Sequence, residues 1–388
     1  MKKYNRILIT ILSPDFNLMN RYSAVACVIY SFASVLQKNG YDVYVNEKHI
    51  LEWEKLTAPN AAISASKQSK LFKIMRFFSK RFREMVKDTL AILKNKKTIN
   101  QIFEIPKPDI VISWVTYRDS SGVDFAKKWN VPLIAVYDNP LAEEYAFLNG
   151  FPPFFESNIA SHEKRILTSA DALILYSPAV KAYLDKKYSI KGAVYFNAFT
   201  DFLRMQFKSL KKDLTTINFA YIGSFFNWHK IDDLIFAFET VNLKYPNCKL
   251  FLVGDGPEFN RISSSVNNKN IVFTGKKDGK ELDLLMQEIH VGIISNALWF
   301  QAPVKFFQYS AANLLVISKK TPTILALSKG EDCYLFFDTK EELENQMLDV
   351  MANPLKIEQF GKKAGDFIKN NYSEVNYLNF FNEIFESI

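Results

Sequence analysis

Between Ala220 and Ser318 short apolar runs alternate with helical patterns, and each run ends in a turn where backbone can approach a ligand closely. INFAYIGSFFNWHKIDDLIFAFETV gives a strand, a glycine turn and a helix. CKLFLVGDGPEF gives a second strand with a glycine-rich turn, and NIVFTG a third ending at Gly275. APVKFFQYSAANLLVISKK closes the stretch with a loop, Lys305, a helix and another buried strand. Such alternation is how parallel βαβ units read in sequence. Ligands of open parallel sheets sit outside the carboxyl ends of the strands, where these glycines fall. The stretch therefore reads as a nucleotide-binding half.

At 388 residues the chain exceeds one ordinary core and predicts two domains. Its 48% hydrophobic and 23% charged content excludes a disordered chain. Cys27, Cys248 and Cys333 are odd in number and far apart, which argues against a disulfide framework or zinc site and for a reducing cytoplasm. His49, His162 and His290 have no ligand spacing, so no metal is expected. MKKYNRILITIL lacks a small-residue cleavage site and reads as a buried strand, not a leader. No apolar stretch reaches the roughly 18 residues of a membrane-spanning helix. There is no G-x-S-x-G elbow and no Walker loop.

The first half repeats the same grammar. A strand at Arg6 to Leu12, a helical pattern from Ser23 to Asn39, a stop at Gly40 and the strand YDVYV form a Rossmann-like start without G-x-G-x-x-G. PDIVISW, VPLIAVY, ADALILYS and AVYFN supply further strands. The fold class expected is α/β, with an N-terminal domain over 1–205, a linker near Asp201 to Thr216, a second domain over 217–370 and a terminal helical segment over 371–388 returning to the first domain.

One segment differs. From Lys67 to Lys97 there are eleven Lys or Arg against Glu84 and Asp88, a net of +9 in a chain of net +8. Leu71, Phe72, Met75, Phe78, Phe82, Met85 and Val86 recur at helical spacing. Two readings stand: a solvated basic helix on its own domain, or an amphipathic helix on an anionic membrane surface. No nucleic-acid module accompanies the segment, and nucleic acid is not an expected partner.

The pieces YIGSFFNWHKIDDLIFAF, LFLVGDGPE, IVFTG and APVKFFQYSAANLLVIS, together with VYDNPLAEEY and ADALILYSPAVKAYL…YFNAFTD, carry a family resemblance over most of the chain. The chain resembles the retaining, family 4-like glycosyltransferases of GT-B architecture, which include bacterial envelope α-mannosyl- and glucosyltransferases. That resemblance implies two Rossmann-like domains facing across a cleft, a UDP- or GDP-sugar donor on the second domain, an acceptor on the first, and no cofactor or metal. It also implies same-face displacement without an enzyme nucleophile, the leaving phosphate assisting the acceptor.

Carried over residue by residue, the resemblance places Gly223 and Ser224 at the donor diphosphate, with basic residues just beyond, where His229 and Lys230 stand. Lys305 matches the lysine of the P-L-K-L-F-E-Y pattern in APVKFFQY. Gln308 stands where relatives hold the ribose with glutamate, and Phe300 where they contact the donor sugar with another. A glutamine still bonds a diol, without charge assistance. Tyr309 follows on the same helix as a further donor-binding candidate, and Asn313, where relatives have Gly, can adopt a left-handed turn. Gly254, Asp255 and Gly256 are expected beside the base. Asp138, with Asn139 and Glu143 after VPLIAVY, is expected on the acceptor side. The catalytic candidates are thus Lys305, Lys230 and Asp138.

The activity expected is that of a hexosyltransferase acting on a glycan or lipid-linked glycan of the cell envelope, cytoplasmic or peripheral on the inner membrane face. A soluble transferase with a small-molecule or protein acceptor stands beside it. The departures at Phe300 and Gln308 also leave open a non-catalytic sugar- or nucleotide-binding member.

Overall fold

The computed structural model describes residues 3–12, 24–52, 79–116, 119–153, 156–200, 213–277 and 279–388. Leu71, Phe72, Met75 and Phe78 of the basic segment, and most of the stretch expected as linker, lie outside them. The chain divides into two compact units, Met1–Asp201 with Tyr377–Ile388, and Phe202–Asn376.

Unit 1 is built on a seven-stranded sheet of β1 (Arg6–Thr10), β2 (Asp42–Val45), β3 (Lys48–His49), β4 (Ile110–Trp114), β5 (Leu133–Tyr137), β6 (Ala172–Leu175) and β7 (Ala193–Phe196), in the order β3-β2-β1-β4-β5-β6-β7. Every pairing is parallel except β2 with the short β3. Strands β4, β5 and β6 are buried throughout, because helices cover both faces of a parallel sheet. The helix Ala24–Lys38 ends before Gly40, whose φ of 81° suits the turn into β2. Ser177 caps Pro178–Asp185 by accepting from Val180 N–H, with Pro178 at the first helical position. In the terminal helix Glu374–Ser387, Phe381 lies 4.4 Å from Phe32, and the Tyr377 hydroxyl donates to the Ala198 carbonyl.

Unit 2 holds β8 (Asn218–Ile222), β9 (Lys249–Val253), β10 (Ile271–Gly275), β11 (Val291–Ile294), β12 (Leu315–Lys319) and β13 (Tyr334–Phe337) in the order β10-β9-β8-β11-β12-β13. All pairings are parallel. The sheet grows outward first on one side of β8 and then on the other, so its direction reverses between β8 and β11. That reversal opens the crevice in which doubly wound sheets bind ligands. The β8–β11 ladder comprises only Val291 with Phe219 and Gly292 with Ala220. Beyond it Ile222 N–H donates instead to the Tyr309 hydroxyl at 2.8 Å.

The helix Leu355–Asn371 sits on the turn after Val304–Ala311 through two glycines one turn apart. Asn313 occupies that turn with φ 54°. A Cβ on Gly361 would lie 2.2 Å from the Asn313 carbonyl oxygen, and one on Gly365 would meet the Asn313 side chain. Gly361→Ala gains about 1 kcal/mol of helix propensity but forces the helix off a backbone oxygen, at about 1–3 kcal/mol. The expected result is a net loss of about 1 kcal/mol, read as a lower urea midpoint. An unchanged midpoint would show that the helix lifts freely.

Candidate functional site

The carboxyl ends of β8, β9 and β10 are stitched into one ledge. Gly223 N–H donates to the Val253 carbonyl at 2.9 Å, Gly254 N–H to Gly275 at 3.0 Å, and Phe225 N–H to Asp255 at 2.7 Å. A Cβ on Gly254 would lie 1.9 Å from the Gly223 carbonyl oxygen, and one on Gly256 would lie 2.6 Å from the Phe225 nitrogen. Both turns thus need glycine because one backbone presses on another. Ser224 and Asp255 are exposed on this ledge.

Lys305 enters from the first turn of Val304–Ala311. Its Nζ is buried with no hydrogen-bond partner among the described residues. It lies 4.1 Å above the centre of the Tyr221 ring and 2.8 Å from where a Gly223 Cβ would be. Burial pushes its ammonium down to about 7. An unpaired buried cation is costly to a fold, and here it sits at the point where the sheet order reverses. The arrangement suits an incoming anion.

His229 ends the short 3-10 turn Asn227–His229 and is buried, its ring beside Tyr221 at 5.6 Å. Burial, and secondarily the charge of Lys305, push it down to about 3, so it is neutral at physiological pH. Two side chains following β11 hold this turn: Ser295 Oγ donates to the His229 carbonyl at 2.7 Å, and Asn296 Nδ2 to Trp228 at 2.6 Å. Lys230 has a different place. It is exposed, with φ 53°, at the start of Ile231–Lys244. The structure therefore groups His229, not Lys230, with Lys305.

Gln308 is half-buried, one turn along the helix from Lys305. Tyr309, read from the sequence as a ligand contact, is fully buried instead. Its ring fills the space above Gly292, where a Cβ would meet it at 2.4 Å, and its hydroxyl is occupied by Ile222 N–H. It props the ledge from below. Phe300 is only 2% exposed and packs edge-on against Trp299 at 5.3 Å. Tyr221, Ser295 and Asn296 were missed in the sequence, where they read as core and loop.

In unit 1, Asp138 follows β5, and burial raises its carboxyl to about 6 although backbone N–H groups favour its charged form. Asn139 Nδ2 donates to Glu144 at 3.0 Å. Beneath Asp138, the hydroxyls of Tyr137 and Tyr188 both donate to the buried Glu163, at 2.7 and 2.5 Å. This network fixes the end of β5. Among the described residues no group of three or more His, Cys, Asp or Glu is placed to hold a metal ion.

Residues 204–372 match the family described as Glycosyl transferases group 1, and that span nearly coincides with unit 2. Over that span the second unit is similar to the group 1 glycosyltransferases. No curated protein matches the sequence. Among solved structures, the chain is similar to Anabaena HepE in complex with UDP and glucose, at 12% identity over 99% of this chain and 100% of that one, with a TM-score of 0.63. It is similar to sucrose-phosphate synthase from Thermosynechococcus elongatus at 15% identity over 99% and 100%, TM-score 0.68. WaaG, a glycosyltransferase involved in lipopolysaccharide biosynthesis, gives 11% identity over 98% and 99%, TM-score 0.62. At these identities the likeness shows the fold: two Rossmann-like parallel-sheet bodies, as in GT-B glycosyltransferases. Among the described residues no helix is long and apolar enough to cross a membrane.

Proposed function

We propose that the chain transfers a hexose from a UDP- or GDP-sugar, with retention and without a metal, to a glycan or lipid-linked glycan of the cell envelope. The observation that carries this reading is the buried, unpartnered Lys305 ammonium beneath the Gly223 turn. Lys305 and the Ser224 amide beside the Gly223 turn would offset the charge that builds on the leaving diphosphate, a preorganised arrangement requiring no counter-ion from solvent. Neutral His229 would complete that pocket as a hydrogen-bonding group, leaving Lys230 an outer charge. Gly254, Asp255 and Gly256 would border the base, and Gln308 would take the ribose diol. Asp138, with a carboxyl near 6, would receive an acceptor hydroxyl in unit 1. The UDP-bound HepE structure supports a nucleotide donor, and the lipopolysaccharide role of WaaG supports an envelope acceptor.

Calorimetry with UDP, GDP and their sugars in the presence of a chelator tests the donor half. At least one nucleotide is expected to bind. No binding by any of them, or binding only after manganese is added, would overturn the metal-free reading.

An anionic membrane surface as second partner is supported by the helix Lys80–Ile102. Phe82, Leu90 and Leu93 are 38%, 41% and 56% exposed along one of its faces. On the opposite side Ile102 is buried and Asn95 Nδ2 donates to the Leu12 carbonyl. Arg83 and Lys97 lie on the same side of the helix as these exposed apolar residues, a combination that fits an anionic interface. Arg83→Gln with Lys97→Gln should weaken binding to anionic liposomes by about 2 kcal/mol, at roughly 1 kcal/mol per charge. Equal sedimentation with neutral and anionic liposomes would contradict it.

A further inference from the structure

Tyr221 touches both parts of the diphosphate pocket, although it lies in the fully buried core of unit 2. Its ring lies 4.1 Å beneath Lys305 Nζ, and its hydroxyl donates to the Ser224 carbonyl at 2.8 Å. A Cβ on Gly223 would meet the ammonium at 2.8 Å and the phenol oxygen at 3.1 Å, so cation, turn and phenol share one small volume.

A buried ammonium is ordinarily paired with a carboxylate. Here the negative face of an aromatic ring takes that place. A ring holds the cation without claiming its N–H groups, which stay available to an anion. The Ser224 carbonyl is a second hazard, because an oxygen directed into the pocket would repel a phosphate. The Tyr221 hydroxyl binds that oxygen.

We propose that Tyr221 is a positioning residue for donor binding, its ring holding the Lys305 ammonium under Gly223 and its hydroxyl drawing the Ser224 carbonyl out of the anion's path. This inference rests on Lys305 being the diphosphate cation. Among the described residues, the titratable groups placed near Lys305 are Tyr221 from β8 and His229 from the turn after it, with Tyr309 one turn along its own helix and interacting with Tyr221. Burial holds both phenols protonated and the imidazole neutral. No carboxylate is among these groups, and the group that faces the ammonium is the Tyr221 ring at 4.1 Å. Removing the ring should move the proton equilibrium of Lys305, whereas removing only the hydroxyl should not.

The test is UDP binding by calorimetry from pH 6 to 9, in buffers of different ionisation heat that reveal proton uptake. For the wild type, affinity is expected to fall above pH 7 while proton uptake rises toward one per UDP. Tyr221→Phe should lose about tenfold in affinity and keep the pH midpoint. Tyr221→Leu should lose more and shift the midpoint down by about half a unit or more. Should the leucine variant fail to fold, 3,4,5-trifluorophenylalanine at position 221 keeps the shape and removes the negative face, and should shift the midpoint likewise. A midpoint unmoved in both ring-altering variants, or a Phe variant with wild-type affinity, overturns the proposal. Lys305→Met separates the two failures: wild-type affinity and pH profile in that variant would refute the role of Lys305 itself.

Discussion

Lys305→Ala should lower turnover by about 100- to 1,000-fold, the usual loss when one preorganised donor to developing charge is removed. The same position should behave in the opposite way toward stability. The ammonium of Lys305 is pushed from 10.5 down to about 7 by burial. Between these values the unfolded chain binds more protons than the folded one, so stability rises with pH across that window. At pH 7 and below the full cost of the buried lysine is present, and above 10.5 it is gone. Lys305→Met, which fills the same space without charge, should therefore stabilise the protein at pH 7 by about 2 kcal/mol. The gain should shrink as pH approaches 10. Thermal melts of both proteins across this range check the sign. A methionine variant that melts lower than wild type at pH 7, or one that keeps full turnover with saturating donor, would refute the assignment. Opposite effects on activity and stability mark a group held for its reaction.

The sequence made the strands legible because each is a short apolar run closed by a turn, and burial on both faces leaves few other ways to write a parallel strand. Gly223, Gly254 and Lys305 could be located for the same reason. What was not legible depends on partners far along the chain. His229 and Lys230 are adjacent and both basic, and nothing local says which faces inward. Ser295 and Asn296 decide it by fixing the carbonyls of His229 and Trp228 from 66 and 68 positions away. Tyr309 resembled a ligand contact because it follows Gln308 on the same helix. The missing side chain of Gly292 creates the space that draws its ring inward. Tyr221 was hidden for the reverse reason. Its alternation pattern is that of any core residue, and only the approach of Lys305 from the helix Val304–Ala311 points to the role proposed for it. The charge of the basic segment could be counted directly, but its exposed apolar residues emerged only once Asn95 and Ile102 showed which side of the helix is anchored.

Gly254→Ala should be the most damaging single-methyl substitution on the ledge. Gly254 has φ 137°, where an L residue is strained by about 1–3 kcal/mol. The added Cβ would sit 1.9 Å from the Gly223 carbonyl oxygen and 2.9 Å from its carbon, backbone atoms that cannot rotate away. Relief requires the end of β8 to separate from β9, which breaks the bond from Gly223 N–H to Val253. Strain and overpacking together predict a loss of about 3–5 kcal/mol in the stability of unit 2. Because the displaced residue is Gly223, UDP affinity should fall by at least about 100-fold even in protein that remains folded. Gly275 supplies the control at the neighbouring strand end. Its φ is 69°, and a Cβ there would meet nothing within 4 Å. Gly275→Asn adopts that left-handed conformation at small cost, so it should change stability by less than about 1 kcal/mol and leave UDP binding intact. If Gly254→Ala bound UDP within threefold of wild type, the ledge would be free to move and could not be the rigid seat of the diphosphate. If Gly275→Asn proved equally damaging, the effect would belong to any change at these strand ends rather than to contact between the Gly223 and Gly254 backbones.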